Sequence, residues 1–133
     1  EHDVQAAGLD DRCRFLGELP DASALMPGLD LLAVTSREDP FPLIMMEAAA
    51  AGVPMVGFEG SGGPAEFAHA GAGRVVPYLD TPAFAGAVAE LARDENARRQ
   101  LAVGGAALVR RDHDVAVKGP RLLDILERAR GRV

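Results

Sequence analysis

Glu38, Asp39 and Glu47 are the residues best placed to do chemistry, in the segment Ser36-Arg37-Glu38-Asp39-Pro40-Phe41-Pro42-Leu43-Ile44-Met45-Met46-Glu47-Ala48. An ionised carboxylate accepts hydrogen bonds from two hydroxyls, so a vicinal diol such as a ribose suits it. Between Asp39 and Glu47 a helix is expected to begin. Pro42 suits its first turn, and Gly52 followed by Pro54 stops it, which predicts a helix from Pro42 to Ala51. The first-turn N–H groups of Leu43, Ile44 and Met45 have no partner inside that helix. Together with the helix dipole they form an anion site suited to a phosphate. Pro42 contributes no donor but pre-sets the backbone. Glu47 lies about 7.5 Å further along the axis, at about 1.5 Å per residue, and helical side chains lean back toward the N-terminus. Its carboxylate can therefore approach the ligand without touching the phosphate.

A second segment, Gly60-Ser61-Gly62-Gly63-Pro64-Ala65-Glu66, has the form of a ligand loop. Glycines permit positive φ and close approach, for a ligand or simply for a tight strand-to-helix turn. Glu66 either faces a ligand or caps the helix opened by Pro64. Phe41 is either a pocket wall or a core anchor. Glu38 and Asp39 also suit a turn, since Asp-Pro favours one, and Glu47 also suits the first half of a helix.

These residues need a scaffold that delivers them to one edge. Apolar runs alternate with helical stretches, the pattern of an α/β fold with a parallel sheet. Strands are expected at Arg12 to Gly17, Leu29 to Thr35, Val53 to Phe58 and Gly73 to Tyr78. The second of these, LDLLAVT, is apolar almost throughout, as in a strand covered on both faces. A short helix is expected at Ala22 to Met26, another after Pro64, and a helical tail at Pro82 to Arg93, Glu95 to Arg111 and Val115 to Arg130. The Gly104-Gly105 pair weakens the middle of the second tail helix. A doubly wound sheet normally has roughly five or six strands, so one or two N-terminal strands are expected to be missing from this piece. In such sheets ligands sit beyond the carboxyl ends of the strands, where the Ser36–Phe41 loop falls.

Composition excludes several classes. The 133 residues, 48% apolar and 26% charged, suit one globular domain with a real core. The net charge of −6 and the absence of a basic stripe argue against a nucleic-acid partner. No run approaches the roughly 20 apolar residues of a membrane span. The lone cysteine, Cys13, excludes an internal disulfide and suits the cytoplasm; its alternation with Arg12 and Arg14 suggests a core position. His2, His69 and His113 lack metal-ligand spacing. His69 is expected on a solvated helix, His113 in a charged turn, and the Arg98-Arg99 and Arg110-Arg111 pairs on solvated faces. The start at Glu1 is read as that of an excised piece of a longer protein.

The segment from Asp39 to Glu47 resembles the Glu-x7-Glu signature of the group-one (family four) retaining glycosyltransferases of the GT-B fold. Glu47 matches the second Glu, and Glu47-Ala48 followed by Ala51-Gly52-Val53-Pro54 resembles the family's "EA…AGVP" continuation. Asp39 stands at the first Glu, giving Asp-x7-Glu, with Glu38 one residue too early and Pro42 where many members have Gly. LDDRCRFLGELP, GSGGPAE, GAGRVVPYLD and ARRQL are similar to further family segments, so the likeness spans most of the chain. The resemblance implies a Rossmann-like parallel sheet with flanking helices and a helical tail, an incomplete GT-B C-terminal domain. It implies catalytic roles for Asp39, beside the transferred sugar, and for Glu47, on the nucleotide's ribose, with either Asp39 or Glu38 as the first carboxylate. It implies donor contacts from Glu38, Phe41, Pro42, Leu43, Ile44, Gly62, Gly63 and Glu66. It implies a UDP-, GDP- or ADP-linked sugar as substrate, no metal or other cofactor, and a separate N-terminal acceptor domain. The family's Arg and Lys earlier in this domain have no counterpart here, so the isolated piece is expected to bind donor weakly and not turn over. The full-length protein is expected to be cytoplasmic, with peripheral membrane association open.

Two other readings stay open. A receiver-like regulatory domain has about this length, with Asp10-Asp11, Asp30 and Thr35 as its acidic cluster, although Asp30 precedes its apolar run. Another GT-B enzyme, a sugar epimerase or phosphorylase, would share the segment.

Overall fold

Val56 and Phe58 alternate with Met55 and Gly57 along the central strand of a three-stranded parallel sheet. The computed structural model describes residues 1–131. Strand β1 is Leu32–Ala33, β2 is Met55–Phe58 and β3 is Gly73–Val76, in the order β1-β2-β3. Leu32 pairs with Met55, and Met55 with Gly73. All of β2 is buried, as a parallel strand covered on both faces should be. Around the sheet lie α1 (His2–Ala6), α2 (Leu43–Ala50), α3 (Gly63–Phe67), α4 (Thr81–Arg93), α5 (Glu95–Leu108) and α6 (Val115–Arg130).

The strand period divides the core into two layers. Met55 packs with Val34, Met45, Ala49, Phe67, Ala72 and Leu108, which places α2, α3 and α5 on one face. Val56 and Phe58 pack with Val76, Phe84, Ala87 and Leu91, which places α4 on the other. Leu91 is fully buried in that second layer. Leu91→Ala is expected to cost about 3 kcal/mol in urea unfolding, from lost burial plus a residual cavity. A loss near zero would show that α4 does not hold the layer.

The tail helices are separated by aspartates. The side chains of Asp80, Asp94 and Asp114 accept hydrogen bonds from the N–H groups of Ala83, Ala97 and Ala116 at 2.9, 2.9 and 2.8 Å. Each satisfies an orphan donor of a new helix.

Several sequence expectations are corrected. Three strands form among the described residues, not four. Residues 13–19, expected to hold most of a strand, run without regular structure. A strand requires a neighbour for its N–H and C=O groups, and none of the described residues supplies a ladder there. Phe15 and Leu16 are half exposed, and Cys13 is exposed rather than in the core. The apolar run from Leu29 yields only Leu32–Ala33 as strand, although Leu32 and Val34 donate to the Pro54 and Val56 carbonyls at 2.9 Å. The expected helix at Ala22 is a 3-10 turn, Ser23–Gly28.

Helix α5 passes through Gly104-Gly105 without a break, ends at Leu108, and continues as a wider π turn, Val109–His113. The glycine pair has a packing reason. A Cβ at Gly105 would lie 3.2 Å from the Ala49 Cβ and 3.3 Å from that of Ala72; one at Gly104 would lie 2.5 Å from the Gly71 carbonyl oxygen. The glycines let α5 approach α2 and the turn before β3. Arg98 is not on a solvated face either: its guanidinium donates to the Leu91 and Ala92 carbonyls at 2.5 and 2.8 Å, closing the end of α4.

No helix among the described residues is long and apolar enough to cross a membrane. None of the residues of α6 is buried, and Leu122, Leu123, Ile125 and Leu126 are exposed on it.

Candidate functional site

The loop after β1 and the loop after β2 emerge at the same end of the sheet and are stitched together. Asp39 and Gly62 form an isolated parallel bridge. The Asp39 N–H donates to the Ser61 carbonyl at 3.0 Å, and the Gly63 N–H donates to the carbonyls of Asp39 and Pro40, both at 3.1 Å. Ser61 is buried, and its hydroxyl donates to the Phe58 carbonyl at 2.7 Å, tying the second loop to the end of β2. Gly62 has φ 90° and ψ −133°, a conformation that residues with a Cβ rarely adopt. A Cβ there would lie 2.5 Å from the Asp39 carbonyl oxygen, and one at Gly63 would lie 2.7 Å from Phe41 Cδ2. The glycines therefore serve loop-to-loop approach. No local signal in the sequence marks Ser61, since only the loop pairing gives it a role.

Helix α2 starts one residue later than expected. Pro42 is its N-cap, with an extended ψ of 129°, so the first helical residue is Leu43. The Met45 N–H is used, donating to the Pro42 carbonyl at 3.3 Å. No side chain caps this end, and among the described residues the N–H groups of Leu43 and Ile44 have no acceptor. The anion site is thus two amides, not three. Met45, Ala48 and Ala49 form the buried face of α2. Leu43, Ile44 and Glu47 are exposed and share the opposite face, since residues three and four apart on a helix are neighbours. Glu47 lies about one turn along the axis from the residues whose amides are free.

Asp39 is half-buried in the stitched loop, whereas Glu38 beside it is exposed. Glu66 is exposed in the first turn of α3 and makes no cap hydrogen bond. The capping explanation for Glu66 is thereby removed. Phe41 is neither buried nor free of packing. Its ring packs edge-on to Phe67 at 6.1 Å and against His113 at 5.3 Å, yet stays 36% exposed. It lines a hollow of about 240 Å³ with Glu66, Phe67, Asp112 and His113. The hydrogen bond from Arg111 holds the Asp112 carboxyl below its ordinary range. His69 is exposed as expected and pairs with Glu59 at 3.0 Å.

This geometry offers a ligand two amides, the carboxylate-bearing Glu47 one turn further along the helix, and Asp39 in a loop paired to its neighbour. Solved structures of known proteins share this fold. Sucrose-phosphate synthase from Thermosynechococcus elongatus superposes with a TM-score of 0.90 at 24% identity, over 99% of this chain and 34% of that one. HepE from Anabaena, solved in complex with UDP-glucose, superposes with a TM-score of 0.85 at 26% identity, over 95% of this chain and 35% of that one. In sequence, the phosphatidyl-myo-inositol mannosyltransferase of Mycobacterium leprae is 31% identical over 126 residues, covering 92% of this chain and 33% of that protein. The N-acetyl-alpha-D-glucosaminyl L-malate synthase of Bacillus anthracis is 31% identical over 98 residues, covering 74% and 26%. The chain thus spans about a quarter to a third of the length of these curated relatives. Such neighbours carry the GT-B fold, of which this sheet and its helices are the matching part. The family described as "Glycosyl transferases group 1" matches residues 1–94, and the chain belongs to that family.

Proposed function

We propose that this chain is the donor-binding domain of a glycosyltransferase that moves a sugar from a nucleotide-sugar to an acceptor with retention. The observation that carries the proposal is the uncapped start of α2, where the unbonded Leu43 and Ile44 amides stand one turn from Glu47. HepE, solved in complex with UDP-glucose, has the same fold at 26% identity, which supports a nucleotide-linked donor. In this reading Glu47 accepts hydrogen bonds from the ribose hydroxyls. The two amides receive the diphosphate and stabilise the charge that grows on it as the sugar leaves, an electrostatic contribution that needs no reorganisation during reaction. Asp39 meets the transferred sugar, and the pairing with Gly62 holds its backbone. Phe41, Pro42, Gly63 and Glu66 shape the wall. Neither a metal nor a cofactor is required. The acceptor residues belong to a separate N-terminal domain, so the isolated chain binds donor weakly and does not turn over.

The receiver-like alternative loses its phospho-acceptor. Asp30 precedes β1, 3.7 Å from Arg98, at the end of the sheet opposite the stitched loops. An epimerase or phosphorylase is separated from a transferase by its products. The full-length protein, supplied in turn with UDP-, GDP- and ADP-glucose and a mixed acceptor pool, is expected to release one nucleoside diphosphate and an α-linked glycoside. Release of a free epimerised sugar, or of a sugar phosphate, would remove the transferase reading.

The two candidate first carboxylates separate in the same assay. Asp39→Asn is expected to lower kcat by about tenfold with donor affinity retained, the size of one charge-assisted hydrogen bond. Glu38→Gln is expected to leave both constants unchanged. The reverse pattern would give Glu38 the role.

A further inference from the structure

The loops that leave the carboxyl ends of the three strands carry few charges. After β1 they are Arg37, Glu38 and Asp39; after β2, Glu59; after β3, Asp80. Glu47 and Glu66 add two carboxylates from the helices that follow. Arg37 is therefore the one cation among these loops, against a rim of carboxylates. Two of those are already occupied: Glu59 pairs with His69, and Asp80 caps α4. Arg37 is exposed and, among the described residues, makes neither an ion pair nor a side-chain hydrogen bond, although Glu38 and Asp39 follow it directly.

That charge pattern is poorly matched to a nucleotide-sugar, whose diphosphate carries two negative charges. The dipole of α2 offers roughly half a positive charge at its N-terminus, and the nearby carboxylates oppose it. A guanidinium on the same loop changes the balance. It stays charged at all working pH values and presents a planar fork of donors that fits phosphate oxygens two at a time. We infer that Arg37 is a donor-binding residue that pairs with the diphosphate alongside the α2 amides. In this arrangement Arg37 supplies the preference for a nucleoside diphosphate over the bare nucleoside, while Glu47 reads the ribose that both share. This inference rests on the donor-site reading of the same loops.

The test is a calorimetric titration of the full-length protein and its Arg37→Ala and Arg37→Lys variants with UDP, GDP and ADP and the corresponding nucleosides. For the base that the wild type prefers, Arg37→Ala is expected to weaken diphosphate binding by about 10- to 100-fold, the size of charge-assisted hydrogen bonds to phosphate. Nucleoside binding is expected to hold within about twofold. Arg37→Lys should recover part of the loss, because an ammonium keeps the charge without the fork. Equal thermal midpoints for all three proteins are expected of an exposed side chain. Diphosphate affinity within about twofold of wild type in Arg37→Ala overturns the inference. So does a parallel loss for nucleoside and diphosphate, which would mark a structural role. A wild type that binds none of the three diphosphates would instead overturn the donor reading itself, and Arg37 with it.

Discussion

Glu47→Ala in the full-length protein is expected to lower kcat/KM for the donor by about 100-fold or more, with no change in the unfolding midpoint. The magnitude follows from two hydroxyl hydrogen bonds to an ionised carboxylate, each worth about 1.5–3 kcal/mol. The unchanged stability follows from position. Glu47 is exposed on α2, while the packing of that helix rests on Met45, Ala48 and Ala49. Alanine is also the strongest helix former, so α2 loses nothing in propensity. Glu47→Gln retains an acceptor without the charge and is expected to fall between the two, at about tenfold. Steady-state kinetics against donor concentration, with urea unfolding alongside, measures both quantities. A kcat/KM within about threefold of wild type would return Glu47 to an ordinary surface glutamate.

Gly62→Ala acts on the other half of the site, through the backbone. Its φ of 90° and ψ of −133° cost a residue with a Cβ about 1–3 kcal/mol. The added Cβ would also sit 2.5 Å from the Asp39 carbonyl oxygen, a backbone atom with little room to move. The combined loss is expected to reach about 3–5 kcal/mol, among the larger effects of a single substitution. If the fold survives, the Asp39–Gly62 bridge opens and Asp39 loses its fixed position, so kcat falls as well. Gly60 provides the contrast. Its φ is also positive, at 69°, but a Cβ there meets nothing within 4 Å. Gly60→Ala should therefore cost only the conformational part, about 1–2 kcal/mol. Equal losses at the two glycines would show that loop contact adds nothing to backbone strain.

The sequence was most legible where chemistry and periodicity act locally. The helix after Pro40-Phe41-Pro42, its stop at Gly52, and the carboxylate placed on it follow from short-range rules, and the structure has α2 over Leu43–Ala50. The aspartate caps of α4, α5 and α6 obey the same kind of rule. Expectations failed where an element depends on a distant partner. Residues 12–17 have the alternation of a strand, but alternation supplies no neighbour, and the segment runs unpaired. Arg98 looks like one more surface arginine until α4 and α5 pack and bring the Leu91 and Ala92 carbonyls within its reach. Cys13 shares that alternation and is exposed for the same reason.

The opening segment shows this division most clearly. From residue types and spacing alone came a carboxylate one turn beyond a helix start, and with it the likeness to a glycosyltransferase donor site. Those features are local, because the α-helix converts sequence separation directly into distance. Only the tertiary structure decided which amides remain free, since Met45 bonds to Pro42 while Leu43 and Ile44 do not. Only it decided that Asp39 is held against Gly62 and that the Asp39 N–H meets the Ser61 carbonyl. The Asp39–Gly62 pairing depends on two loops, distant in sequence, being brought within hydrogen-bonding reach by adjacent parallel strands, and no local pattern encodes that proximity.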